Sequence, residues 1–184
     1  MSKSLLPLAL LAVVACSKTS EKPAVVIEPI PVETAQALIG QFMGGLVGQL
    51  TAAIEENGPA GAVGVCSTSA PQLGAELSKG EYTIRRVGTR VRNAKTNTPT
   101  EMELQVMQSL SKESPIYQGE IDGHAVYMKG VFIPGPLCLT CHGQAEEIPE
   151  DVKQILAERY PQDAAVGYAV GDLRGAVLVE RKMK

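Results

Sequence analysis

Cys138-Leu139-Thr140-Cys141-His142, closed by Gly143, constrains this chain more than any other stretch. Two thiols three positions apart, with an imidazole directly after, match the C-x-x-C-H pattern that stitches a haem to a polypeptide. The chemistry sets the spacing. The thiols add to two vinyl groups on one edge of the macrocycle, and the next side chain reaches the iron as proximal ligand. Such a chain has to fold around a large flat apolar group instead of filling its interior with side chains alone. Aromatic residues make up only 4% of the sequence, with no Trp and two Phe, so a bound macrocycle is expected to supply part of the large apolar surface.

Two other readings of the motif fit less well. A structural zinc site wants four ligands, commonly in two close pairs. Only Cys66 and His124 remain as partners, and the adjacent Cys141 and His142 do not easily share one tetrahedral metal. A redox dithiol follows a strand and opens a helix in a βαβ setting, and "FIPGPLCLTCHGQAEE" has no such setting. The motif therefore predicts one covalent haem c, with Cys138 and Cys141 as thioether anchors and His142 on the iron.

The other end of the chain bears on that reading. "MSKSLLPLALLAVVACSK" places Lys3 before an apolar run from Leu5 to Ala15, and Cys16 follows. The run is shorter than the about 20 residues of a membrane span and fits the apolar region of a secretory signal peptide. "VVAC" resembles a bacterial lipobox, in which the cysteine is lipidated. Residues 1–15 are thus expected to be a lipoprotein signal peptide and residues 16–32, polar and Pro-punctuated, a lipidated tether. Residues 33–184 are the expected haem domain. The implied location is the bacterial periplasm, at a membrane through a lipid anchor of more than one chain, outside the reducing cytosol. A net charge of -3 gives no reason to expect a nucleic-acid partner.

Of four cysteines, Cys16, Cys138 and Cys141 are then accounted for, and Cys66 is left over. An odd thiol in an exported chain is an inert buried residue, half of an intermolecular disulfide or a metal ligand.

Periodicity supplies the elements. Residues 33–57 carry Leu38, Phe42, Leu46, Leu50 and Ile54 every fourth position, a helical stripe widened by Ile39, Met43 and Val47. Asn57-Gly58-Pro59 should stop that helix, with a short second helix near 59–66. A third near 70–79 should be capped by Ser69, with Pro71 in its first turn. Tyr82–Val87 reads as a strand and runs into Arg90 and Arg92. In "TPTEMELQVMQSLSK" Thr98 should cap a helix with Glu101 reaching back. Asp122-Gly123 between alternating segments signals a hairpin. "IPEDVKQILAERYP" reads as a helix, and the chain ends in a strand at Ala176–Val179 and beyond. Few strands without βαβ alternation predict an α+β fold with an antiparallel sheet.

The sixth position of the iron decides what such a haem does. Cys66, His124 and the methionines are candidates, methionine being common in electron-transfer cytochromes. Met102, Met107 and Met128 lie on periodic segments and read as core, and His124 reads as an exposed hairpin residue.

Together these residues resemble a known family, the single-haem, PAS-like c-type cytochrome sensor domains of bacteria, from about residue 34 to the end. "AVGVCSTSAPQL" is similar to the family segment that carries a cysteine axial ligand. "RVRNAKTNTPTEME" is similar to its Arg-Asn-Pro…Asn-x-Pro…Glu stretch, and "CLTCHG" matches its attachment run. "YPQDAAVGYAVGDLRGAVLV" looks like its closing segment. Ala94 stands where the family often has Pro, and Met102 where an aromatic is frequent. The resemblance implies a PAS-like antiparallel sheet with flanking helices and an N-terminal helical segment. It also implies Cys66 as the distal iron ligand opposite His142.

A thiolate favours ferric iron and lowers the potential. On reduction the bond weakens, and an open site takes a small diatomic ligand such as CO or NO. Such a ligand exchange is the two-state element a sensor needs. The expected function is a non-enzymatic redox- or gas-responsive binding module that signals to a redox or signalling protein. The alternative is an electron-transfer cytochrome c of a membrane chain. Arg85, Arg86, Arg90 and Arg92 are either partners of the haem propionates or a solvated basic strand face.

Overall fold

The apolar periodicity and one tight turn build a four-stranded sheet. The computed structural model describes residues 27–183. The predicted signal peptide, its lipobox and Cys16 lie outside the described residues. Strands β1 (Tyr82–Gly88), β2 (Ile116–Ile121), β3 (His124–Phe132) and β4 (Leu173–Arg181) pair antiparallel in the order β1-β4-β3-β2. The β2–β3 link is the expected hairpin. Asp122 and Gly123 have φ of 51° and 83°, and positive φ at both central positions matches the twist of the flanking strands.

Helices cover both faces, so β3 and β4 read as near-continuous apolar runs instead of alternating ones. The helices are α1 (Val32–Gly64), α2 (Ala70–Leu77), α3 (Ala94–Asn97), α4 (Glu101–Gln108), α5 (Pro136–His142) and α6 (Glu150–Arg159). Ile39, Phe42 and Leu46 of α1 and Ala70 of α2 pack on Ile84, Tyr127, Val177 and Val179. On the other face Met107 and Leu110 close over Val126, Met128 and Leu178. The fold is α+β, an antiparallel sheet flanked by helices with a helical N-terminal segment, as the sequence implies.

Local details differ from the sequence reading for identifiable reasons. Gly58 leaves helical geometry, at φ 69° and ψ 176°, yet the chain resumes the helix at once, so Asn57-Gly58-Pro59 makes a kink and not an end. Ser69 is not an N-cap. Its φ of -68° and ψ of -37° are helical, because α1 runs through a π-helical turn, Val65–Ser69, straight into α2. The cap of α4 is Thr100, two residues beyond Thr98: its hydroxyl accepts from Glu103 N (3.2 Å), and Glu103 Oε2 accepts from Thr100 N (2.9 Å). Both threonines satisfy the capping-box pattern. The Thr100 pair prevails because Glu103 is buried, where it also pairs with Arg85.

The folded body also starts before residue 33. Ile30 is buried against the α1 face of the sheet, and its carbonyl accepts from Gln118 Nε2 at 2.7 Å.

Val32–Leu77 is long and apolar enough to cross a membrane by length and composition. Here its apolar residues have two other uses. One stripe packs on the sheet, and a second, including Met43, Val47, Leu50 and Ile54, borders a cleft.

Candidate functional site

Two small satellite cores position the C-x-x-C-H segment. Cys138 and Leu139 of α5 pack against Ile133, Ala165 and Tyr168. Cys141 packs against the cluster of Val63, Ile148, Val152, Leu156 and Tyr160 that ties α6 to the end of α1. Backbone bonds strap the segment to the 165–168 loop: Gly167 N donates to Gly143 O (2.7 Å) and Tyr168 N to His142 O (3.0 Å).

The segment forms one wall of an apolar cleft of about 520 Å³, within the range of small-molecule and cofactor sites. Cys138, Cys141 and His142 border it, and so does Cys66 from the π-helical turn. A π turn is uncommon and often marks a functional position, because the extra residue re-aims side chains. Here it is held by Ser67 Oγ and Thr68 Oγ1, which both donate to Gly64 O at 2.8 and 2.6 Å. The thiols border the cleft but do not form a metal site by themselves. Among the described residues no three His, Cys, Asp or Glu gather closely enough to hold an ion.

His142 is oriented by a carbonyl. Its Nδ1 lies 2.7 Å from Ala165 O, and a carbonyl only accepts, so Nδ1 carries the proton and Nε2 keeps its lone pair. A backbone carbonyl on the far nitrogen is how ligating histidines are commonly held. The Tyr168 ring meets the imidazole edge-on, with centroids 6.2 Å apart. Burial, then the nearby Arg92 and Arg174, push the His142 pKa down to about 3, so the imidazole stays neutral at any ordinary pH. Burial pushes the thiols the other way, raising the pKa of Cys138, and raising that of Cys141 although Arg92 opposes it. A redox dithiol needs a lowered thiol pKa, and these surroundings do not provide one.

The sequence candidates separate in space. Arg92 borders the cleft but is taken up by the scaffold. Its Nε pairs with Asp163 at 2.9 Å, and its Nη2 donates to the carbonyls of Cys141 and Ala165. Arg90 lies outside the cleft lining, donates to the carbonyls of Val166 and Gly167, and stacks over the Tyr168 ring at 3.7 Å. His124 Nδ1 lies 3.2 Å from a Glu180 carboxylate oxygen across β3 and β4. It is not in the cleft lining, and neither is exposed Met102. Met107 and Met128 are buried on the opposite face of the sheet. Met43 of α1, read from the sequence only as part of a stripe, is the methionine that borders the cleft. Arg174, Asp163 and Tyr168 were not singled out either. Nothing local marks them, since each acts on residues distant in the chain.

Residues 8–181 match the Tll0287-like family. No curated protein matches the sequence. Among solved structures, the crystal structure of the cyanobacterial heme-protein Tll0287 superposes with a TM-score of 0.67 at 21% identity. The match covers 83% of this chain and 96% of that one. At this identity the likeness establishes a shared fold. With the family match spanning nearly the whole sequence, this chain belongs to the Tll0287-like family.

Proposed function

We propose that this protein is an exported c-type haem protein that works as a redox- or gas-responsive sensing module. The observation that carries the reading is the convergence of Cys66, far upstream in the chain, with Cys138, Cys141 and His142 on one apolar cleft. Membership of a family that includes a heme-protein supports it. Cys138 and Cys141 are the thioether anchors of one haem c, with His142 as proximal and Cys66 as distal ligand. When bound, the haem supplies a redox-active iron that takes a small diatomic ligand, CO or NO, once an axial position opens.

The chain's own residues do the rest. The Ala165 carbonyl fixes the proton of His142 on Nδ1 and frees Nε2 for the metal. Arg92 holds the Cys141 carbonyl, and with it the attachment turn. The apolar stripe of α1 keeps water from the cleft. A redox or signalling protein receives the output.

Haem staining after denaturing electrophoresis should mark the chain, and an unstained band defeats the proposal. Cys66→Ala should abolish the low-spin thiolate signature in the ferric EPR spectrum. Met43, bordering the same cleft, favours a second reading, an electron-transfer cytochrome c with methionine as sixth ligand. An EPR spectrum unchanged in Cys66→Ala but altered in Met43→Ala selects it. The lipid anchor rests on the leader alone: Cys16→Ser should release the protein from membranes, and continued membrane association refutes the anchor.

A further inference from the structure

Three guanidinium groups border the cleft, those of Arg86, Arg92 and Arg174. Only Arg92 has a carboxylate, that of Asp163. Of the basic residues around β1, Arg85 is paired with Glu103, and Arg90 is engaged by two carbonyls and the Tyr168 ring. Arg86 and Arg174 form no ion pair among the described residues.

Arg174 is nevertheless held in place. Its Nη1 donates to Arg90 O at 3.1 Å, and its guanidinium carbon lies 5.5 Å from the Tyr168 ring centroid. Its Nε is buried with no partner. Gly88 provides the space for it, because a Cβ there would stand 3.1 Å from Arg174 Nη1. Burial, together with Arg92 and Arg86, lowers the Arg174 pKa, as expected of a cation among cations. Arg86 and Arg174 are half-buried, a cation partly withdrawn from water gains from an anion beside it, and guanidinium favours the planar, two-point recognition that a carboxylate offers.

We infer that Arg86 and Arg174 form the carboxylate-binding edge of the cleft and receive the two propionates of the haem. The inference rests on the haem reading and assigns the group's polar end, which the attachment motif does not address. Of the four arginines the sequence offers for this task, Arg86 is kept and Arg174 is added, while Arg92 is engaged by Asp163 and two carbonyls.

Resonance Raman spectra of the haem-bearing protein test this through the propionate bending bands. Arg86→Gln and Arg174→Gln should each shift these bands, and the double variant should shift them furthest. The midpoint potential should fall in each variant, because a lost positive charge favours the ferric state. Arg86→Lys should restore the potential but not the bands. Bands unchanged in both single variants overturn the inference, and Arg86→Gln carries the test alone if Arg174→Gln does not fold.

Succinate and inorganic phosphate titrated into the wild type should bind at neither arginine. Binding that is lost in the double variant, with the bands unmoved, would assign the edge to a soluble anion instead. An unstained wild-type band on a denaturing gel defeats the haem reading itself. A stained band with unmoved bands defeats only the propionate assignment.

Discussion

Arg92→Ala should remove about 3–5 kcal/mol of folding stability, the range for breaking a buried ion pair by deleting one partner. The side chains of Arg92 and Asp163 are 6% and 11% exposed, so the remaining carboxylate has little access to water. The loss should not stop at the pair. Arg92 also donates to the carbonyls of Cys141 and Ala165, and the Ala165 carbonyl is the one that orients His142. One side chain thus fastens the C-x-x-C-H turn to the loop that orients the imidazole. Arg92→Lys should recover little, since an ammonium cannot supply the fork of donors that reaches three acceptors. Urea unfolding checks this. A loss below about 1 kcal/mol would place the pair among ordinary surface ion pairs and refute its role as a clamp.

Gly175→Ala should destabilise the domain by roughly 3 kcal/mol or more, combining backbone strain with overpacking. Gly175 has φ of 157°. A Cβ there would run into the carbonyl oxygen of Val87 and come within 3.0 Å of Gly88 Cα. Both obstacles are backbone of the neighbouring strand, which cannot swing aside as a side chain can. The substitution would push β1 from β4 where the sheet borders the cleft. Gly48→Ala is the contrasting control. A Cβ there meets nothing within 4 Å, so the gain in helix propensity, up to about 1 kcal/mol, should stabilise α1. Thermal unfolding of the two variants should move in opposite directions, and equal shifts would contradict the packing at Gly175.

The α+β class, the hairpin at Asp122-Gly123 and the stripe of α1 were legible because each depends on residues close together in the chain. So were three of the four groups that meet at the cleft, since Cys138, Cys141 and His142 form one motif. Cys66 was an unexplained thiol until the family resemblance gave it a role, and only the fold brings it to the same cleft. The separate surroundings of the arginines were the least legible part of the sequence. A run of Arg85, Arg86, Arg90 and Arg92 looks uniform in the sequence. In the fold one meets Glu103, one meets Asp163, one covers a tyrosine ring and one borders the cleft without a carboxylate. Those assignments depend on partners far away in the chain, which local pattern does not contain. Ser69 misled because its residue type suits a helix start, whereas a π turn continues the helix through it and has no compositional signature.

That same turn, Val65–Ser69, makes chain length a variable at this point of the fold. A π turn accommodates one residue more than an α turn of the same rise. Deleting a single residue there would restore regular winding and keep the helix on either side in register, while the side chains of the turn itself are re-aimed. Cys66 would leave the cleft while the sheet and both layers of helix kept their residues. Within this fold, the difference between a cleft bordered by this thiol and one without it can therefore be a gain or loss of one codon, with no substitution at the cysteine.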